Sequence, residues 1–171
     1  MSSAFKTIAR KLKELPLFFL SAWATYRLTR SVFPLKVRIL DRKMRFTFSR
    51  RRDTKVVING TLLIDSWMRN YTPVFIGLDH GAELCVNGSL SLGPNVRISL
   101  QRDAKLTFGE GPASEGGITE NAIIIATDSI RIGNDFLGSW NLYITDSDHH
   151  RYGDSNPPCP VQIGNHVWMC P

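Results

Sequence analysis

The sequence predicts a mainly β protein, a parallel β-helix preceded by a short basic α-helical segment. Three observations predict it. Helical periodicity ends near residue 56 and gives way to short Val, Ile and Leu runs broken by Gly, Asn and Asp, the composition of strands and turns. Within that body, aliphatic residues return every six positions over runs of 18 residues. Charge divides at the same place: 15 of the 21 Lys and Arg but only 3 of the 15 Asp and Glu fall in residues 1–55, leaving that segment at +12 and the remainder at −6. A basic start on a mildly acidic body argues against a nucleic-acid binder.

From the amino terminus, Phe5, Ile8, Leu12, Leu15 and Phe19 recur at helical spacing with lysines between them, which predicts one or two amphipathic helices across residues 4–31. Two roles stay open for that apolar face: it lies on an anionic membrane surface, or it packs on the body as a cap. Residues 16–23 form the longest apolar run, far short of the roughly 20 residues a spanning helix needs, and Arg27 and Arg30 close it. Lys6, Arg10, Lys11 and Lys13 before Ala22-Trp23-Ala24 resemble a secretory signal, but Glu14 and Pro16 crowd its apolar region. Arg50-Arg51-Arg52 reads as a solvated linker before the strand-like Val56-Val57-Ile58. Residues 1–55 are thus set apart as a helical and linker segment, and residues 56–171 as the β domain. Cys85, Cys159 and Cys170 have no metal-type spacing and cannot all pair, so they read as free thiols of a reducing compartment.

The beat in the body can be counted. Val86, Leu92, Ile98 and Ala104 are six apart, with Leu90, Val96 and Phe108 at the fifth place and Arg102 as the misfit. A second register runs Ala126, Ile132, Gly138 and Ile144, with Ile130, Phe136 and Leu142 at the fifth place, and Ile163-Gly164-Asn165-His166-Val167 restarts it. Such a hexad suits a coil of three short strands, each sending an aliphatic residue into the prism while a small residue turns the corner. A sandwich or barrel would instead alternate with period two.

These hexads, with the IGNHVW of residues 163–168 and the IGNDFLGSWNLYITDSDHH of residues 132–150, resemble the hexapeptide-repeat acyltransferases, in particular bacterial capsule, lipopolysaccharide and colanic-acid-type O-acetyltransferases. The resemblance covers roughly residues 74–171. It implies a left-handed parallel β-helix, acetyl-CoA as acyl donor, and a homotrimer with active sites between subunits.

After Ile144 the beat stops, and Thr145-Asp146-Ser147-Asp148-His149-His150 opens a polar excursion to about Pro160. Moving an acetyl group from a thioester to a sugar hydroxyl needs a base for the hydroxyl proton, and neutral imidazole suits that near pH 7. The family's Asp-x-His pattern places the base at His150, with His149 as the competing choice. Asp146 and Asp148 are the candidate orienting carboxylates, although Asp and Ser are also ordinary turn residues. Asn121 resembles the family's acceptor-binding asparagine and also reads as a loop asparagine. Trp140 and Asn141, taken to lie one coil below the excursion, are candidates for the acceptor pocket. Trp168 resembles the tryptophan bordering the cofactor groove.

No metal is expected: His149 and His150 are adjacent, and neither His80 nor His166 supplies the close pair that a three-histidine zinc site would need. Neither a P-loop nor a strand-linked GxGxxG occurs. The chain stops inside a hexad, at Val167-Trp168-Met169-Cys170-Pro171, which predicts a β-helix incomplete at its carboxyl end. The expected function is acetyl-CoA-dependent O-acetylation of a saccharide, free or lipid-linked, at the cytoplasmic side, with peripheral membrane contact through residues 1–35. Two alternatives stand beside it: a catalytically inactive truncated relative, and a small-metabolite, serine-type acetyltransferase.

Overall fold

The computed structural model describes the backbone of residues 3–66, 70–148 and 159–171, with side chains from residue 15 onward in the same segments. Among these residues one helix, α1 (Ser3–Thr29), precedes sixteen strands, all paired in parallel. Helix α1 ends where Arg30 turns into the left-handed region (φ 63°) while its N–H still reaches the Tyr26 carbonyl at 2.8 Å.

The strands wind as successive triples. The first coil is β1 (Val37–Ile39), β2 (Phe46–Arg50) and β3 (Lys55–Ile58), and the second is β4 (Thr61–Ile64), β5 (Val74–Leu78) and β6 (Glu83–Val86). The third is β7 (Ser89–Leu92), β8 (Arg97–Leu100) and β9 (Lys105–Phe108), and the fourth is β10 (Glu115–Glu120), β11 (Ile123–Ala126) and β12 (Ser129–Ile132). A fifth comprises β13 (Leu137–Trp140), β14 (Tyr143–Thr145) and β15 (Val161–Ile163), and β16 (Trp168–Met169) opens another. Each strand stacks on its counterpart three positions earlier, giving three flat sheets around a prism: a first face containing β1 to β16, a second containing β2 to β14, and a third containing β3 to β15. The molecule is a parallel β-solenoid with an amino-terminal helix, and its strands begin at Val37, inside the basic segment.

Strands this short survive because alternation seals their inner side. Leu62 and Ile64, Leu90 and Leu92, Ile98 and Leu100, Leu106 and Phe108, and Ile130 and Ile132 all point into the prism and are essentially buried. Every counted hexad member from Val86 to Ile144 is likewise buried, and the misfit Arg102 sits exposed in a turn. The strict count of six is not kept. On the second face, Ile76, Ile98, Ile124 and Ile144 are register partners separated by 22, 26 and 20 residues. Corners of two residues such as Asn87-Gly88 preserve the hexad, whereas four-residue corners such as Gly93-Pro94-Asn95-Val96 lengthen it without moving inward residues off their face.

Close stacking fixes the corner chemistry. A Cβ at Gly93 would run into the Thr119 carbonyl oxygen, and one at Gly88 into that of Ser114. Where the first face turns into the second, Asn95, Asn121 and Asn141 follow one another on successive coils, all left-handed (φ 56°, 53° and 59°). Asparagine tolerates that region better than other side chains with a Cβ.

Helix α1 closes the first coil. Ala24, Thr25 and Leu28 are fully buried, Ser21 nearly so, and together they form one helical face on the prism end. The Thr25 hydroxyl donates to the Val37 carbonyl (3.2 Å) and accepts from the Val37 N–H (3.0 Å), while the Ser21 hydroxyl accepts from Ile39 N–H (3.0 Å). Two otherwise unpaired amides of the terminal strand are thereby satisfied. Arg50 corrects the linker reading. It is half-buried and donates to the Leu28 carbonyl (2.6 Å), the Thr54 hydroxyl (2.9 Å) and the Thr54 carbonyl (2.7 Å), tying the helix end to β2.

Candidate functional site

The excursion leaves the solenoid at the corner between the second and third faces, after β14. An ST turn starts it: the Thr145 hydroxyl accepts from the Ser147 N–H (3.2 Å) and donates to the Ser147 carbonyl (3.0 Å). Between them Asp146 is pulled inward to 3% exposure. Its two carboxylate oxygens accept the N–H groups of Thr127 and Asp128, each at 2.7 Å, which are the corner residues of the coil below. Its carbonyl accepts the Cys159 N–H at 2.9 Å, so one residue anchors both the departure and the return of the loop.

Thr145, Asp146, Ser147, Asp148, Cys159, Pro160 and Val161 line a shallow concavity of about 450 Å³ at this corner. Asp148 lies exposed on its wall, and the buried Thr127 hydroxyl has no hydrogen-bond partner among the described residues. His149 and His150, on which the sequence reading rests its base, lie outside the described residues. The carboxylates therefore divide by geometry. Asp146 is buried and accepts from two backbone donors, Asp148 is exposed, and both line the concavity.

The other expected site residues sit elsewhere on the prism. Asn121 accepts from the Asn95 side-chain amide at 3.0 Å and donates its N–H to the Pro94 carbonyl at 2.9 Å. Asn141 stacks on it one coil along, and Trp140, half-exposed, precedes Asn141 at the end of β13. Asn121, Trp140 and Asn141 thus share the corner between the first and second faces. They are separated from the Asp146 corner by the length of a strand, and Trp140 and Asn141 belong to the excursion's own coil, not the coil beneath it. Trp168 lies on the outer side of the first face, 73% exposed, in register with the exposed Leu137. The chain brings Asp146 and Asp148 together and Asn121, Trp140 and Asn141 together, but does not join the two groups.

Two features of this surface were missed in sequence. Cys159 reads in sequence only as a free thiol; in the fold it is free, exposed and lines the concavity. Its place beside the resuming strand was the available signal. The Thr127 hydroxyl carried none, because its position depends on stacking of coils 18 residues and more apart. Among the described residues no group of three or more His, Cys, Asp or Glu side chains converges as a metal site. His80 pairs instead with Asp53 (3.2 Å), and His166 with Asp135 (3.1 Å), on different corners.

Fold and site together define a class, a parallel β-solenoid with a carboxylate-anchored excursion from one corner. Compared with known protein families, with curated proteins and with solved structures, the chain matches none.

Proposed function

We propose that this chain acts as an acetyl-CoA-dependent O-acetyltransferase on a saccharide hydroxyl, with His150 as general base. The observation that carries the reading is the concavity at residues 145–148 and 159–161, beside the buried Asp146, where the chain runs on into His149-His150. A base is useful only if it is positioned, and the two flanks of the loop are tied through one residue: the Asp146 carboxylate to the coil below, and its carbonyl to the Cys159 N–H. Asp148 orients the imidazole and stabilises the imidazolium as it forms. The hydroxyl oxygen attacks the thioester carbonyl while its proton passes to the imidazole; the tetrahedral intermediate then collapses, the carbon–sulfur bond breaks, and the thiolate leaving group recovers the proton. Exposed Trp168 and Leu137 provide an apolar surface for the pantetheine arm of the donor.

A homotrimer would place the acceptor corner of one subunit against the excursion of the next. The outer side of the second face supports that arrangement, since Phe75, Arg97, Ile123 and Tyr143 form one register column and Ile123 and Tyr143 are exposed. The test is acetyl transfer from acetyl-CoA to a surface-glycan acceptor, followed by thiol release and by mass of the product. Expected is activity that His150→Ala lowers at least about a hundredfold. Equal activity in His150→Ala, or transfer only to free serine or another small metabolite, overturns the reading.

A further inference from the structure

The amphipathic stripe read from the sequence is not the face of α1 that caps the solenoid. Its described members, Leu15 and Phe19, are 44% and 64% exposed, and the stripe continues at helical spacing through Trp23 (48%) and Tyr26 (54%). Capping is done from the opposite side, by Ser21, Ala24, Thr25 and Leu28. Beside the stripe, Phe18 packs edge-on against Phe19 (5.8 Å between centroids) and lies 6.4 Å from Phe33, itself 67% exposed. This helix therefore presents a row of aromatic and leucine side chains to solvent while its other face is committed.

A second observation lies along the same helix. Tyr26, Arg27, Arg30, Phe48, Ser49 and Arg50 surround a concavity of about 380 Å³ where α1 meets β2. Among the described residues no carboxylate forms an ion pair with Arg27 or Arg30, and Arg27 lies over the Trp23 ring at 5.7 Å. Burial first, and then the charge of Arg30, hold Arg50 below the usual arginine value. Lys6, Arg10, Lys11 and Lys13 stand on the first half of the same helix.

We propose that the outer face of α1 docks on an anionic phospholipid bilayer, with Leu15, Phe19, Trp23 and Tyr26 at the headgroup boundary and the Arg27–Arg30–Arg50 concavity taking a lipid phosphate. Tyr and Trp favour this boundary because one end of each ring is apolar and the other hydrogen-bonds, and arginine pairs bidentately with phosphate. No helix among the described residues is long and apolar enough to cross a membrane, so the helix lies in the interface plane. A second copy fits worse. Two such faces would bring Arg27 and Arg30 of each chain, within segments of +12, against one another. The inference does not rest on acyl transfer, because binding is read without any substrate.

The experiment is flotation of the full chain with phosphatidylcholine vesicles, with and without 30% phosphatidylglycerol. Expected is flotation only with the anionic vesicles, reversed by 0.5 M salt. Arg27→Gln/Arg30→Gln should weaken it about tenfold, and Phe19→Ser/Trp23→Ser at least as much. Both variants should keep the native thermal melt, since the altered side chains are exposed. Absence of flotation with anionic vesicles, or equal flotation of the native chain and the arginine variant, overturns the proposal. So does self-association that Phe19→Ser/Trp23→Ser abolishes when no vesicle is bound, which would give the face to a second copy.

Discussion

A carboxylate that is 3% exposed and accepts two backbone N–H bonds cannot be replaced by an apolar side chain without stranding both donors. Asp146→Ala should therefore cost about 3 kcal/mol in a urea melt and loosen the excursion, whereas Asp148→Ala, at an exposed position, should cost less and, on the proposed mechanism, lower acetyl transfer. If the two variants behave alike in the melt, the division of labour drawn between them is wrong. The cysteines separate on similar grounds. Burial pushes the half-buried Cys85 thiol up, with Lys55 opposing the shift, while Cys159 and Cys170 are exposed. Since the thiolate is the reactive form, a disulfide reagent at pH 8 should modify Cys159 and Cys170 first and Cys85 roughly tenfold more slowly. Three equal rates would contradict this ordering.

At the scale of the element, the corners carry the argument. Asn121 holds a left-handed φ and accepts from Asn95, which accounts for its residue type without any ligand. Asn121→Ala should cost about 1 kcal/mol, because alanine keeps a Cβ in that region without the polar side chain that eases it, and Asn121→Gly should cost little. The glycine variant thus separates the two roles. Native stability with a raised acceptor KM assigns Asn121 to the acceptor, and native stability with an unchanged KM leaves it as a corner residue. This ambiguity was visible in the sequence but could not be resolved there. A single chain read linearly does not show that residues 95, 121 and 141 occupy one corner, because variable corners space them 26 and 20 residues apart.

For the whole molecule, the helix-capped end of the prism matters most. Leu28 is fully buried under the first coil, and Leu28→Ala should lower stability by about 3 kcal/mol, seen as an earlier thermal transition. An unchanged transition would mean that the helix merely rests on the solenoid. The outer column of the second face makes a separate prediction: if the proposed trimer forms there, Ile123→Arg/Tyr143→Arg should shift the sedimenting species from trimer to monomer without altering the melt of the monomer. A native chain that sediments as a monomer would remove the subunit contact.

The sequence by itself determined the parallel solenoid, the amphipathic helix, and the excursion after Ile144. Each of these depends on local periodicity or on its interruption, and periodicity is a property of neighbouring residues. Coil length, the capping face of α1 and the role of Arg50 were decided only by tertiary structure. They depend on which residues meet across 12 to 22 positions: the Thr25 hydroxyl meets the terminal strand, Arg50 meets the helix end, and Asp146 meets the corner one coil below. The apolar stripe shows the difference most clearly. Spacing revealed that the helix has an apolar face, but the small, hydroxyl-bearing face won the contact with β1, because Ser21 and Thr25 could satisfy amides that leucine and phenylalanine would have left unpaired.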